Sequence, residues 1–457
     1  MDSATNWSLA SGGNAGHKMT SAATPLQRAQ YVRDQMPAHG MFAGATWRIS
    51  PESFPLSQEL VAKLEALGPQ LLAFYRACNV MYRHSVQGKL PHWIAEYLDA
   101  GKPKELIELS RRDRFKSHVP RVIRPDVILT NNHFFITELD SVPGGIGLTG
   151  WLGKTYTELG DPVVGGAHGM MEGFDAVLRA EAKSEEPLAV VVVSEEAATY
   201  RPEMEWLGQQ IGFRVVRPEE LANLDKTAVV YRFFELFDLP NIPNANVLTE
   251  AATHAQVAVT PPFKPQLEEK MLFAFLWMEQ LRPFWREQLG EDKLAALRQI
   301  FPYTWIVDPT PLPPHAVIPE LGIHDWREMA KFSQKQRELV LKISGFSEEA
   351  WGSRGVSVGH DLPAGEWAEA IDQALNGFAT HPFILQRFEK SKLFEAQYVD
   401  FEANEARTFG ARVRLCPYYF VVGDDAKLGG ILATVCPADK KILHGMPDAV
   451  MAPCRVQ

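Results

Sequence analysis

Residues 124 to 150 of the chain read RPDVILTNNHFFITELDSVPGGIGLTG, with Arg124 and Asp126 two apart and Glu138 and Asp140 two apart. On an extended strand, residues two apart share a face. The runs on either side of Asn131 and Asn132 are apolar and bounded by turn residues, which predicts a hairpin. Such a hairpin brings three carboxylates and one guanidinium to a single patch. Carboxylates gathered in this way repel one another unless cations sit among them. Hard oxygen donors suit magnesium, and magnesium suits a phosphate-bearing substrate. The plain alternative is a surface hairpin with solvated acids. The glycine turn from Pro143 to Gly147 that follows offers backbone N–H groups to an anion such as a substrate carboxylate.

A second group of chemical residues lies between 338 and 388. ELVLKISGFSEEAWGSRGVSVG predicts a strand, a Gly-Ser turn and a second strand, with Lys342 ending an otherwise apolar run. A lysine so placed either reaches an anion or runs its stem to the surface. Gly352, Ser353 and Gly355 offer backbone donors without side-chain obstruction. The strand Phe383 to Gln386 then leaves its sheet at Arg387 and Phe388, and ARVRLCPYYFVVGD with LGGILATVCP predicts an antiparallel pair turning at Gly423 to Asp425.

Taken together, the two groups resemble the ATP-grasp superfamily. The match is Arg124-Pro-Asp126, then Glu138-Leu-Asp140 twelve residues on, then Ser-Val-Pro-Gly-Gly. Here that hairpin precedes the candidate ATP lysines, whereas the usual family order is the reverse. The chain is therefore similar to the circularly permuted ATP-grasp group, which includes the synthetase domain of glutathionylspermidine synthase. The resemblance runs from about Pro120 to the C-terminus. It implies ATP and two magnesium ions, with Asp126, Glu138 and Asp140 as metal ligands and Arg124 steadying the transferring phosphoryl group. It implies Lys342, Gly352, Ser353 and Gly355 on the phosphates, Gln386, Arg387 and Phe388 at a hinge meeting adenine, and Ser141, Gly144 and Gly145 at the substrate. A second ATP lysine is Lys270, favoured because it follows the Pro-rich end of an α/β unit, or else Lys293. Asp140 stands where the family has asparagine, and GGILATV lacks an arginine found after the paired glycines, a role open to Arg412 or Arg414.

The implied function is a carboxylate–amine ligase working through an acylphosphate, with small-molecule carboxylate and amine substrates. Alternatives are a phosphotransferase on the same scaffold, a nucleotide-binding protein without catalysis, or a nicotinamide enzyme, against which the lack of G-x-G-x-x-G counts. Loss of Asp126 or Glu138 is expected to abolish ADP formation and leave the fold intact.

The elements that must position these residues form an α+β and α/β architecture. Residues 1–24 read as a disordered tail and 25–119 as a helical region. Residues 120–186 carry the metal-binding strands, 187–265 form a small Rossmann-like domain preceding the ATP-grasp part, and 266–457 bind nucleotide. PLAVVVVS is a buried parallel-type strand, and a long helix is predicted from Gln266 to Leu289, interrupted at Pro283. Gly160 to Gly173 matches no phosphate-loop pattern, and His168 there is a candidate substrate contact.

The chain has 457 residues, enough for two or three domains, and a net charge of −10 without a basic stripe, which argues against nucleic acid. Four cysteines without a C-x-x-C pair fit a reducing compartment. No apolar run approaches the ~20 residues that span a bilayer, and the N-terminus lacks a secretory pattern. A cytoplasmic protein with no membrane partner is expected, and the oligomeric state is left open.

Overall fold

A computed structural model describes residues 23–37, 47–140, 142–222, 224, 227–350, 354–445 and 447–457. In chain order the elements begin with helix α1 (Pro25–Asp34), strand β1 (Phe54–Leu56) and helices α2 (Gln58–Val86), α3 (Trp93–Asp99) and α4 (Lys104–Ser110). The hairpin strands β2 (Val122–Leu129) and β3 (Phe134–Asp140) come next, then α5 (Ile146–Glu158) and α6 (Gly169–Ala182). An alternating unit follows: β4 (Ala189–Val193), α7 (Arg201–Ile211), β5 (Arg214–Val216), β6 (Val229–Phe233), α8 (Ala245–Thr253) and β7 (Ala258–Thr260). Helices α9 (Leu272–Trp277), α10 (Arg282–Leu289) and α11 (Glu291–Ile300) lead to β8 (Thr304–Ile306), β9 (Leu339–Ile343), β10 (Val356–Val358), α12 (Ala364–Gly377) and β11 (Phe383–Arg387). The chain closes with β12 (Phe394–Asp400), β13 (Glu405–Val422), β14 (Asp425–Pro437) and β15 (Val450–Val456).

The described residues form three sheets. The largest runs β1-β15-β14-β13-β2-β3, with β12 also on β13. The length of β13 makes this possible, since its residues 405–411 pair with β12 and its residues 414–420 pair with β2. The second sheet is antiparallel, β10-β9-β11-β8, and contains the Lys342 strand. The third is parallel, β5-β4-β6-β7, and every residue of β4 is buried, as expected of a strand covered on both faces. No dinucleotide fingerprint opens it, and the positive φ of Gly212 ends α7 as the sequence suggests.

The N-terminal helices do not form a separate core. Leu64, Leu71, Phe74 and Cys78 of α2 are buried in one apolar cluster with Val413, Leu415 and Ile431 of the large sheet, and β1 lies parallel to β15. The helix expected from Gln266 to Leu289 is broken into α9 and α10. The N–H of Lys270 donates to the Ser344 carbonyl at 2.8 Å and that of Met271 to Ser344 Oγ at 3.0 Å, so these donors serve the end of β9 and not a helix turn. Tertiary bonds override helical spacing here. Among the described residues no helix is long and apolar enough to cross a membrane.

Candidate active site

The first hairpin turns at Asn131 and Asn132, closed by the Thr130 N–H donating to the His133 carbonyl at 2.8 Å. Its register sets Arg124 opposite Asp140 and Asp126 opposite Glu138, so the four charged residues do share one region of the sheet. Between Asp126 and Val127 the register shifts, leaving Thr137 as an extra residue on β3. A bulge frees backbone groups from the ladder. The Thr137 carbonyl accepts from Lys342 Nζ at 3.2 Å, joining the large sheet to the second one.

These residues line a cavity of about 310 Å³ walled by all three sheets. Arg124, Asp126, Glu138, Asp140 and Gly144 come from the hairpin and its turn, and Arg414 comes from β13. Lys342, Gly355 and Val356 come from β9 and β10 or the residue before it. Tyr200, Glu235 and Phe237 follow the C-terminal ends of β4 and β6. That crevice, where the order of a parallel sheet reverses, is where open α/β sheets take ligands. A larger cavity of about 700 Å³ runs along edge strand β8, with Trp93, Trp277, Tyr303, Trp305 and several prolines in its walls. The smaller one holds the convergent acids and lysines, so chemistry favours it over volume.

The electrostatics are those of protein cations inserted among acids. Asp126 is held by Arg124 at 3.2 Å and by Arg414 at 2.9 Å. Burial works to raise its pKa, but the two guanidiniums win and hold it below the usual range. Asp140 lies 2.9 Å from Arg124. Burial raises its pKa, opposed by Arg124 and reinforced by Glu138. Glu138 pairs with Lys270 at 3.1 Å, and although burial alone would lower that lysine, Glu138 keeps its pKa above the ordinary value. Lys342 donates to Gln386 Oε1 at 3.0 Å, and burial, only partly offset by Glu138, lowers its pKa to about 8.

The expected gathering of three carboxylates around one point does not occur in this arrangement. Among the described residues no three His, Cys, Asp or Glu side chains are grouped closely enough to hold a metal ion. Arg124 lies between Asp126 and Asp140, and Lys270 pairs with Glu138.

Between the two candidate lysines, Lys270 lines the cavity, whereas Lys293 is exposed on α11. Arg414 reaches Asp126, whereas Arg412 donates to the backbone carbonyls of Ala438 and Ser391. Gly355 lines the cavity; Ser141, Gly352 and Ser353 lie outside the described residues. Gln386 is buried and links Lys342 to Thr304 Oγ1 at 3.2 Å. The N–H of Arg387 donates to Tyr303 and that of Phe388 to Glu338, and the Arg387 side chain pairs with Glu320 at the surface. None of the three hinge residues lines the 310 Å³ cavity, nor does His168, which precedes α6.

The glycine turn is engaged differently from its sequence-level reading. Gly145 has φ +89° and donates its N–H to Glu203 Oε1 at 2.6 Å, and Leu148 donates to the other oxygen at 2.9 Å. The protein's own carboxylate thus takes the donors that an incoming one would need. Burial pushes the Glu203 pKa up to about 7, against those two hydrogen bonds. The Gly144 carbonyl accepts from Tyr418 at 2.7 Å and from Arg124 at 3.3 Å, tying the turn to the hairpin.

Glu203, Glu235, Glu268 and Tyr200 were not singled out from sequence. Glu268 is bound by Arg232 and hydrogen-bonded to Glu235, whose own pKa burial and Glu268 raise well above the usual range. The only signal for Glu268 was its place two residues before Lys270.

No protein-family model matches the chain, and no curated protein matches it. Solved structures do. A glutathione synthetase-like effector from Globodera pallida, in its apo form, aligns over 90% of both chains at 12% identity with a TM-score of 0.53. A protein described as gamma-glutamylcysteine synthetase from Methylobacillus flagellatus aligns over 85% of this chain and 88% of its own, at 11% identity and a TM-score of 0.41. The first likeness shows a shared fold, that of a synthetase-like protein; the second carries no argument.

Proposed function

We propose that this chain is an ATP-dependent ligase that joins a carboxylate to an amine through an acylphosphate. The observation that carries the reading is the facing of two lysines, Lys270 and Lys342, against the Arg124–Asp140 hairpin and Arg414 across one cavity. Phosphoryl transfer asks a protein mainly to position groups and to neutralise charge spread over the phosphoryl oxygens. Four protein cations line this cavity, and two of them, Arg124 and Arg414, are anchored by a shared carboxylate.

On this reading Lys270 and Lys342 bind the nucleotide phosphates, and Arg124 with Arg414 steadies the group in transit. The oxygen donors of Asp126, Glu138 and Asp140 suit magnesium, and these residues would hold it with Lys270 and Arg124 engaged on phosphate. Magnesium, when bound, neutralises and orients the phosphates. The acylphosphate would form inside a cavity walled from all three sheets, which limits its exposure to water. The hairpin precedes the lysines in the chain, the order of the circularly permuted group, and the two meet in space because Lys342 bonds β3 directly.

The test is a screen of amino acids, short peptides and polyamines for ADP release from magnesium and ATP. ADP formation that needs both a carboxylate and an amine, and that disappears in Lys342→Met, is the expected result. A stable phosphorylated product formed without an amine would make the protein a phosphotransferase. Calorimetry showing no nucleotide binding would overturn both.

A further inference from the structure

We propose that His444 is the catalytic group that takes the proton from the attacking amine, an assignment that rests on the ligase reading above. His444 lies in the segment joining β14 to β15 and, with Gly445, lines the same cavity as Arg124, Glu138, Lys270 and Lys342. Its carbonyl accepts from Cys436 Sγ at 3.5 Å, which ties this point of the segment to β14.

Tautomer chemistry sets what the ring can do. His444 Nδ1 lies 2.9 Å from the Gly445 carbonyl. A carbonyl oxygen only accepts, so Nδ1 carries the hydrogen, and the neutral ring keeps its lone pair on Nε2. The other ionisable groups of the cavity are committed or, like Tyr200, whose pKa burial pushes up to about 12, hold their proton. Asp126 sits between two arginines, Asp140 is on Arg124, Glu138 is on Lys270, and Glu235 and Glu268 are bonded to each other. Lys342 donates to Thr137 and Gln386 and, as a cation on phosphate, has no lone pair to offer. Histidine is the side chain whose ordinary titration range suits a proton acceptor near neutral pH.

The charged groups lining the cavity with it are Arg124 and Asp126 of β2, Glu138 and Asp140 of β3, Arg414 of β13, Lys342 of β9, and Lys270, Glu235 and Glu268. Cys436 of β14 lies behind it, and Asp439, Lys440, Lys441 and Asp448 flank it on its own segment. Attack of the free amine forms the C–N bond, and the C–O bond to phosphate breaks with its electron pair leaving on phosphate. The nitrogen must then shed one proton. His444 Nε2 accepts it and passes it to solvent.

The experiment compares wild type with His444→Asn, using the carboxylate and amine found by the screen and ATP labelled with heavy oxygen in the β–γ bridge. Without amine, scrambling of the label reports acylphosphate formation alone. The expected result is scrambling in both proteins, amide formation slowed about 100-fold in the variant, and loss of the wild-type acid limb in its pH–rate profile. Intact scrambling with amide formation unchanged in rate and pH profile would overturn the role of His444 and leave the ligase reading standing. No scrambling in the wild type would overturn the ligase reading, and the assignment of His444 with it.

Discussion

Asp126 is the residue on which most of the site's charge converges, bound by Arg124 from its own strand and Arg414 from 288 residues away. The two substitutions that sequence reasoning treats alike should therefore differ. Asp126→Ala leaves two guanidiniums facing each other in a buried place, and removing one partner of such a pair costs roughly 3–5 kcal/mol. Glu138 has a side chain 34% exposed, and Glu138→Gln keeps an acceptor for the largely buried Lys270, so its cost should be the smaller, about 1–2 kcal/mol. Both variants should lose ADP formation, while calorimetry shows the larger drop in Tm for Asp126→Ala; equal melting would refute the anchoring role. Lys342 permits a signed test as well. Its pKa is lowered to about 8 in the fold, so between about pH 8 and its ordinary value of 10.5 the unfolded chain binds more protons. Stability contributed by this residue must rise with pH across that window. Urea unfolding of wild type against Lys342→Met should show the wild type gaining, by up to a few kcal/mol, between pH 8 and 10; a flat difference would contradict the burial of the charge.

At the scale of elements, the hairpin was legible because alternation, a polar turn and i, i+2 charges all agree, and the observed register keeps them together. The glycine turn was legible as a turn, but not for what fills it. Glu203 arrives from α7, 58 residues later, and no local pattern marks it. Its raised pKa makes it more stabilising at acid pH: the contribution is full below the ordinary value of 4.5 and lost as pH rises through about 7. Glu203→Gln removes this titration and keeps one of the two hydrogen bonds, since its amide oxygen accepts and its amide nitrogen cannot. Its unfolding free energy should depend less steeply on pH between 4.5 and 7 than that of wild type, and parallel curves would rule the assignment out. Gly145→Ala should be harmful on two grounds, a positive φ costing about 1–2 kcal/mol and a Cβ placed 2.4 Å from the Tyr418 hydroxyl. The failure of the long helix at residues 268–271 has the same origin as the hidden role of Glu203. Helical spacing is a local property, and Ser344, more than seventy residues away, takes the donors.

At the scale of the whole molecule, three sheets meet at one cavity, so a ligand held there should bind them together. Saturating magnesium and ATP are expected to stabilise wild type by about 2.7 kcal/mol at a hundred times Kd, read as a rise in Tm, with the rise lost in Lys342→Met. The amino-acid sequence by itself determined the kinds of element and the chemical inventory: a charged hairpin, a lysine on an apolar strand, a small parallel unit. These rest on periodicity and residue type, which act within a few positions. It also pointed to Lys270 over Lys293, through position relative to the α/β unit. Only the tertiary structure decided which cations enter the acid cluster, that Arg414 and not Arg412 faces Asp126, that Glu203 closes the turn, and that His444 reaches the cavity. Each of those depends on packing between segments far apart in the chain, where burial forces charges to find partners and no short-range pattern records which partner they find.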